Sequence, residues 1–204
     1  MNRYTIKKTF IGSCIAFISL TVLVTQEGTR SLDEALNRFF NTFQTQFGII
    51  IARDIGQLTS QLNLSLIALL IASVLIYRQE LKSASRLLLG LLGTSLSVTL
   101  IKNMVGIARP LNAAILEGGF AFPSGHTATS FFISFWILFS LSKTKEKRLF
   151  KYIGAISAVL FGILVAGSRL YLGVHWFSDI LGGILLALIW ALGTQLLIKE
   201  RRKD

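Results

Sequence analysis

The sequence predicts an all-α fold, a polytopic bundle of six transmembrane helices with one further helix on the outer membrane surface. Three observations predict it. The first is composition: 52% of the 204 residues are hydrophobic and 15% charged, with a mean hydropathy of +0.64, which suits a membrane chain better than a soluble domain. The second is that charge-free stretches recur at 9–26, 55–77, 87–101, 118–142, 152–168 and 180–198, and a bilayer crossing takes about 20 apolar residues. Several of these stretches are apolar on every face, unlike a soluble surface helix. The third is the placement of charge between them.

With the N-terminus in the cytoplasm and six crossings, the inside segments hold Arg3, Lys7 and Lys8, then Arg78, Lys82 and Arg86. The next inside loop holds Lys143, Lys145, Lys147, Arg148 and Lys151, and the C-terminus Lys199, Arg201, Arg202 and Lys203. These are 15 of the 21 basic residues, against four inside acids, so the whole net charge of +11 lies inside. This is the Lys/Arg bias that orients membrane proteins. It predicts a multi-pass protein of the inner or plasma membrane with both termini cytoplasmic. It also argues against nucleic acid as a partner, because four short separated clusters form neither a basic groove nor a stacking platform.

Taken in order, the first crossing spans 9–26. It follows three basic residues as a signal peptide would, but no small-residue cleavage site stands near 24–28, so it reads as a retained helix. It contains Cys14, the single cysteine, which can form no internal disulfide. A helix over 31–51 follows, opened by a Ser31/Glu34 capping box. Its Leu32, Leu36, Phe39, Phe40, Phe43 and Phe47 recur every three or four residues opposite Asn37, Arg38, Asn41 and Thr45. That pattern predicts an interfacial helix with its aromatic face in the lipid or on the bundle, either fencing the site or only connecting. The remaining crossings are predicted at 58–77, 84–102, 125–142, 150–168 and 176–198, all in one domain spanning 1–204. Gly93 with Ser97, and Gly183 with Ala187 and Ala191, give small-residue faces for close helix packing.

Four helix ends then meet the outer boundary. They carry Lys102 and Arg109, Pro123-Ser124-Gly125-His126, Ser168-Arg169, and His175 with Asp179, including both histidines of the chain. Such a set suits phosphoryl transfer, whose oxygens need fixed cationic and N–H donors. Lys102 offers a point charge, and Arg109 and Arg169 offer forks that match phosphate. Ser124 and Gly125 open a helix whose first amides face an anion. His175 and Asp179 are four apart on one helical face, so the carboxylate can hold one ring nitrogen protonated and leave the other as nucleophile. His126 is then available as acid and base. Zinc is a weaker reading, because three cations crowd the site and no third ligand is evident. Trp176, Phe177 and Tyr171 read as interface-belt aromatics, and Glu117 as loop surface.

Lys102 followed after six residues by Arg109-Pro110, then Pro123-Ser124-Gly125-His126, then Ser168-Arg169 followed after five residues by His175 and after three more by Asp179, resemble the three motifs of the type 2 phosphatidic acid phosphatase (PAP2) family. These are membrane lipid phosphatases related to vanadium haloperoxidases. The resemblance implies a phosphohistidine at His175 supported by Asp179, with His126 protonating the leaving group. It also implies phosphate binding by Lys102, Arg109, Ser124, Gly125 and Arg169, and no metal or other cofactor. The implied partners are the bilayer and a lipid phosphate such as undecaprenyl pyrophosphate, phosphatidylglycerol phosphate or phosphatidic acid, entering sideways between helices. A phosphotransferase to a lipid-linked glycan is the nearest alternative, and a lipid or anion transporter a more distant one.

Overall fold

In the computed structural model, residues 2–144 and 146–198 are described. The basic residues Lys145, Lys199, Arg201, Arg202 and Lys203 lie outside them. The described residues form eight helices: α1 (Arg3–Thr25), α2 (Arg30–Thr42), α3 (Gln46–Leu58), α4 (Gln61–Tyr77), α5 (Leu81–Val105), α6 (Gly125–Lys143), α7 (Arg148–Tyr171) and α8 (Phe177–Leu197). Polar side chains start several of them. Asn2, Thr45, Ser60 and Ser124 each accept an amide of the following first turn, which satisfies a donor the helix itself leaves open.

Helix α8 is central and packs against α1, α5 and α6, while α4 covers α5 and α7 covers α6. One core cluster joins Ala68, Ala72, Ala84, Leu87, Leu91, Phe132, Ala187 and Ala191. A second joins Phe17, Val24, Val98, Phe122, Ala128 and Leu186. Lipid tails are as apolar as these side chains, so close van der Waals packing has to hold such a bundle. The small-residue seams supply it. A Cβ on Gly93 would lie 2.3 Å from the Trp190 ring, and the Trp190 indole donates to Ser97 Oγ at 3.0 Å.

Four described helices are long and apolar enough to cross a membrane, α1, α5, α7 and α8, and α3 with α4 makes a fifth if that pair, bent by 46°, counts as one span. Helix α5 runs 25 residues, which removes the shortfall of its charge-free stretch. Helix α6 opens with the polar run Gly125 to Ser130 and does not pass on the same terms.

The structure corrects the sequence reading between 27 and 60. The single helix predicted over 31–51 is two helices. Tyr171 stands in the gap, donating its hydroxyl to the Phe43 carbonyl at 2.9 Å and accepting the Thr45 amide at 2.9 Å. These bonds serve backbone groups that a continuous helix would have paired internally, so the break needs no water. No capping box forms at Ser31. The cap residue is Thr29, without a side-chain bond, and Glu34 pairs with Arg30.

Helix α2 is inverted relative to a soluble amphipathic helix. Its buried residues are Asp33 and Asn37, while Leu32, Phe39 and Phe43 are exposed. The aromatic face therefore points away from the bundle and the polar face points into it.

Candidate active site

The ends of α5, α6, α7 and α8 converge as the sequence requires, with α2 and α3 laid over them. His175 lies between α7 and α8 and is 1% exposed. Its Nδ1 is 3.1 Å from Asp179 Oδ2, and the same carboxylate oxygen accepts the Trp176 amide at 2.8 Å. This leaves Nε2 facing the cluster, 3.1 Å from Arg109 Nη1. Burial first, and then the Arg109 charge, hold the His175 pKa well below its ordinary value, against the pull of Glu117. The ring is therefore neutral at neutral pH and keeps a lone pair on Nε2.

Arg109 is fixed on every side. Its Nε and Nη2 donate to the Gly119 and Gly118 carbonyls at 3.1 Å each, and its Nη1 donates to the Val174 carbonyl at 2.7 Å. Lys102 donates to the carbonyls of Phe120 and Ala121. The loop between α5 and α6 is thus clasped by the cations that face the site. Arg169 donates to the Ala52 carbonyl of α3 at 2.8 Å and to Ser168 Oγ at 3.1 Å. It reaches Ala52 because residue 56 is glycine, where a Cβ would fall 1.9 Å from its guanidinium. His126 faces the Gly56 backbone from the first turn of α6.

Ser124 caps α6, its Oγ accepting from the Thr127 hydroxyl at 3.0 Å, and its own amide donates to the Asp179 carbonyl at 3.0 Å. The next amides, of Gly125 and His126, have no intrahelical partner. All eight residues that the sequence singles out, Lys102, Arg109, Ser124, Gly125, His126, Arg169, His175 and Asp179, thus lie at the adjoining ends of α5, α6, α7 and α8 and in the loops between them.

Two acidic residues enter that sequence reasoning did not place there. Glu117, expected on the loop surface, is inside the cluster. One oxygen is 3.2 Å from Arg109 and 3.9 Å from His175 Nε2, and the other is 3.7 Å from Arg169. Burial opposes its charge, but His175, Arg109, His126 and Arg169 outweigh that and lower its pKa. It is the one acid between Lys102 and His126, and that was the available signal. Glu117 also brings a carboxylate near the two histidines, yet both its oxygens face guanidinium groups. Among the described residues, no group of three or more His, Cys, Asp or Glu could hold a metal ion.

The second acid is Asp33 of α2, which binds Ser178 at the start of α8. Its signal was a carboxylate on the polar face of a helix whose other face is aromatic. Trp176, expected in an interface belt, is 7% exposed. Its indole donates to the Ala108 carbonyl at 2.8 Å, with Arg30 stacked on its ring.

Chemically, the cluster can hold a tetrahedral anion between two forks, a lysine and a helix start, beside an oriented neutral imidazole. The chain is similar to known proteins over most of its length. Phosphatidylglycerophosphatase B of Bacillus subtilis (strain 168) is 30% identical over 181 residues, which cover 85% of this chain and 86% of that protein. The crystal structure of a transmembrane PAP2 type phosphatidylglycerolphosphate phosphatase from Bacillus subtilis superposes with a TM-score of 0.82 at 25% identity, covering 95% of this chain and 98% of that one. Aquifex aeolicus LpxE shares the fold, with a TM-score of 0.63 at 24% identity over 80% of this chain and 94% of its own. The model of the PAP2 superfamily matches residues 83–203, a span containing all three motifs and every cation of the cluster, and the chain belongs to that superfamily.

Proposed function

We propose that the chain is a single membrane phosphatase domain over 1–204 that hydrolyses a lipid phosphate or diphosphate monoester, without a metal, through a phosphohistidine at His175. The observation that carries this reading is the His175 ring, bonded to Asp179 through Nδ1 and presenting neutral Nε2 to Arg109. Nε2 attacks phosphorus, the bond to the leaving oxygen breaks, and His126 gives that oxygen its proton. Water then attacks the phosphorus and passes a proton to His126. The P–N bond breaks, its electron pair returns to Nε2, and inorganic phosphate leaves. Lys102, Arg109, Arg169, Ser124 and Gly125 hold the phosphoryl oxygens throughout. Glu117 occupies the place of those oxygens, so the substrate phosphate enters by exchange with its carboxylate.

Similarity to a phosphatidylglycerophosphatase over most of the chain makes phosphatidylglycerol phosphate the first substrate to test, beside undecaprenyl pyrophosphate and phosphatidic acid. The purified protein is expected to release phosphate from at least one of them in EDTA and to carry acid-labile, base-stable phosphate after rapid quenching. A requirement for added divalent metal, or turnover without phosphoprotein, contradicts the mechanism. In the same assay Glu117→Gln lowers KM and the inhibition constant of inorganic phosphate by one common factor. Loss of charge-assisted bonds worth about 1.4 kcal/mol makes that factor about tenfold. Unequal factors reject the exchange.

In this reading α1, α4, α5, α6, α7 and α8 make six crossings, and α2 and α3 lie at the outer surface with their aromatic residues in lipid. Helices α4 and α6 have 17 and 19 residues, or about 26 and 29 Å, close to the roughly 30 Å hydrocarbon core. The basic clusters then face the cytoplasm with both termini and the site faces outward. A cysteine placed in the 103–122 loop, in a chain with Cys14 replaced, is expected to react with a membrane-impermeant maleimide on intact cells. Protection there, with labelling only after lysis, reverses the orientation.

A further inference from the structure

The polar face of α2 does more than cover the bundle. Asp33 is 4% exposed, and both its oxygens are bound to one residue 145 positions away, accepting the Ser178 amide at 2.8 Å and the Ser178 hydroxyl at 2.7 Å. A carboxylate withdrawn from water this far is costly unless its bonds are complete. Here it supplies, from another helix, the acceptor that the α8 first turn lacks.

What that turn carries gives the contact its meaning. Asp179 Oδ2 takes both the His175 ring and the Trp176 amide, while Asp179 Oδ1 is buried with no partner among the described residues. Asp33 and Asp179 thus share the donors of one turn, Asp33 holding those of Ser178 and Asp179 those of Trp176 and His175. Without Asp33, two buried donors on Ser178 would lose their acceptor in a turn whose next residue, Asp179, carries a buried oxygen without a donor among the described residues, so the turn would repair itself at the expense of the bond to the imidazole. The same α2 face also holds Trp176, two residues before Ser178, with the Arg30 guanidinium 4.9 Å from its ring centroid.

We infer that Asp33 is a positioning residue for the reaction, fixing through Ser178 the turn that aims His175 Nε2 at phosphorus. This rests on the reading of His175 as nucleophile. The inference gives α2 a defined role, since its outer face is aromatic and its inner face grips the turn next to the chemistry.

The test compares Asp33→Ala with Asp33→Asn, which keeps the shape and one acceptor oxygen. Misplacing a reacting group by about 1 Å costs on the order of 100-fold. Asp33→Ala is therefore expected to lower kcat about 100-fold per folded protein with KM nearly unchanged, and Asp33→Asn to recover most of that loss. Wild-type kcat in Asp33→Ala, or equal impairment of both variants, overturns the inference. So does a loss explained by the unfolded fraction, measured by size exclusion and melting.

A second readout does not need turnover. The chain has two histidines, so ¹⁵N-histidine NMR in micelles resolves each ring. The protected Nδ1 proton of His175 is expected in the wild type and in Asp33→Asn, and to be lost in Asp33→Ala while the His126 signals stay in place. If wild-type protein hydrolyses no lipid phosphate yet Asp33→Ala loses the His175 proton, the phosphatase mechanism fails while Asp33 still orients the His175 ring. If it hydrolyses them and the His175 proton persists in Asp33→Ala, the positioning role fails alone.

Discussion

Replacing His175 with alanine is expected to lower turnover of a lipid phosphate by about 10⁴-fold or more while leaving the protein folded. On the proposed mechanism the loss of the nucleophile is not made good by the groups proposed to bind phosphate, which would retain only a residual advantage over water. The imidazole is nearly sealed from solvent at 1% exposure, and none of the other residues in contact with its Nε2 can replace it. Arg109 offers only donors, already engaged with three carbonyls, and Glu117 is held between two guanidinium groups. Folding survives because the bundle is held by seams remote from the site, around Phe132, Trp190 and Ala187. The local cost is one lost bond to Asp179 and a small cavity, about 1–3 kcal/mol together. The check is phosphate release per folded protein, together with quenched phosphoprotein. Wild-type turnover in this variant, or a phosphoprotein signal of wild-type size, would falsify the assignment of His175.

Asp179→Asn carries the second largest expected effect and has a different signature. Asparagine fits the same space and can still accept the Trp176 amide, but it is neutral. In the proposed intermediate the phosphorylated ring with its Nδ1 proton is cationic, and the carboxylate 3.1 Å away would stabilise that charge. In the serine protease triad the corresponding carboxylate-to-amide change costs about 10⁴-fold, and a loss of about 10³-fold or more is expected here on the same logic. It should fall on kcat, since Asp179 is screened from the phosphate by the ring. Stability should move the other way. Asp179 Oδ1 is buried with no partner among the described residues, so removing the charge relieves an uncompensated burial. The variant is expected to melt no lower than wild type, and a melting point well below wild type would show that the His175–Asp179 hydrogen bond is structural.

Much of this site was legible in the sequence because the groups concerned have local signatures. His175 and Asp179 share a face by helical spacing. Ser124 caps a helix because a serine before an apolar run does so. Arg109 precedes a proline that ends any helix. Even the convergence of four helix ends followed from alternating charge along the chain. Glu117 and Asp33 were legible as acids but not as members of the site. A carboxylate on a polar loop and one on the polar face of an amphipathic helix look alike whether water or a guanidinium receives them. The break at Phe43–Thr45 was hidden for a related reason, because the hydroxyl that satisfies it comes from Tyr171, more than a hundred residues downstream.

The sequence by itself determined an all-helical membrane chain, the order of its main helices, and the eight residues that gather at one end. These follow from apolar length, charge placement and spacing within single helices, which are properties of neighbours along the chain. Only the tertiary structure decided that α2 turns its carboxylate inward and its aromatic rings outward, that Asp33 holds Ser178 in the turn next to His175, and that Glu117 stands between Arg109 and Arg169. The physical reason is that a buried charge is stabilised by whichever partner the fold brings to it. For Asp33 that partner is Ser178, and for Glu117 it is Arg109 and Arg169, and spacing along the chain specifies neither pairing.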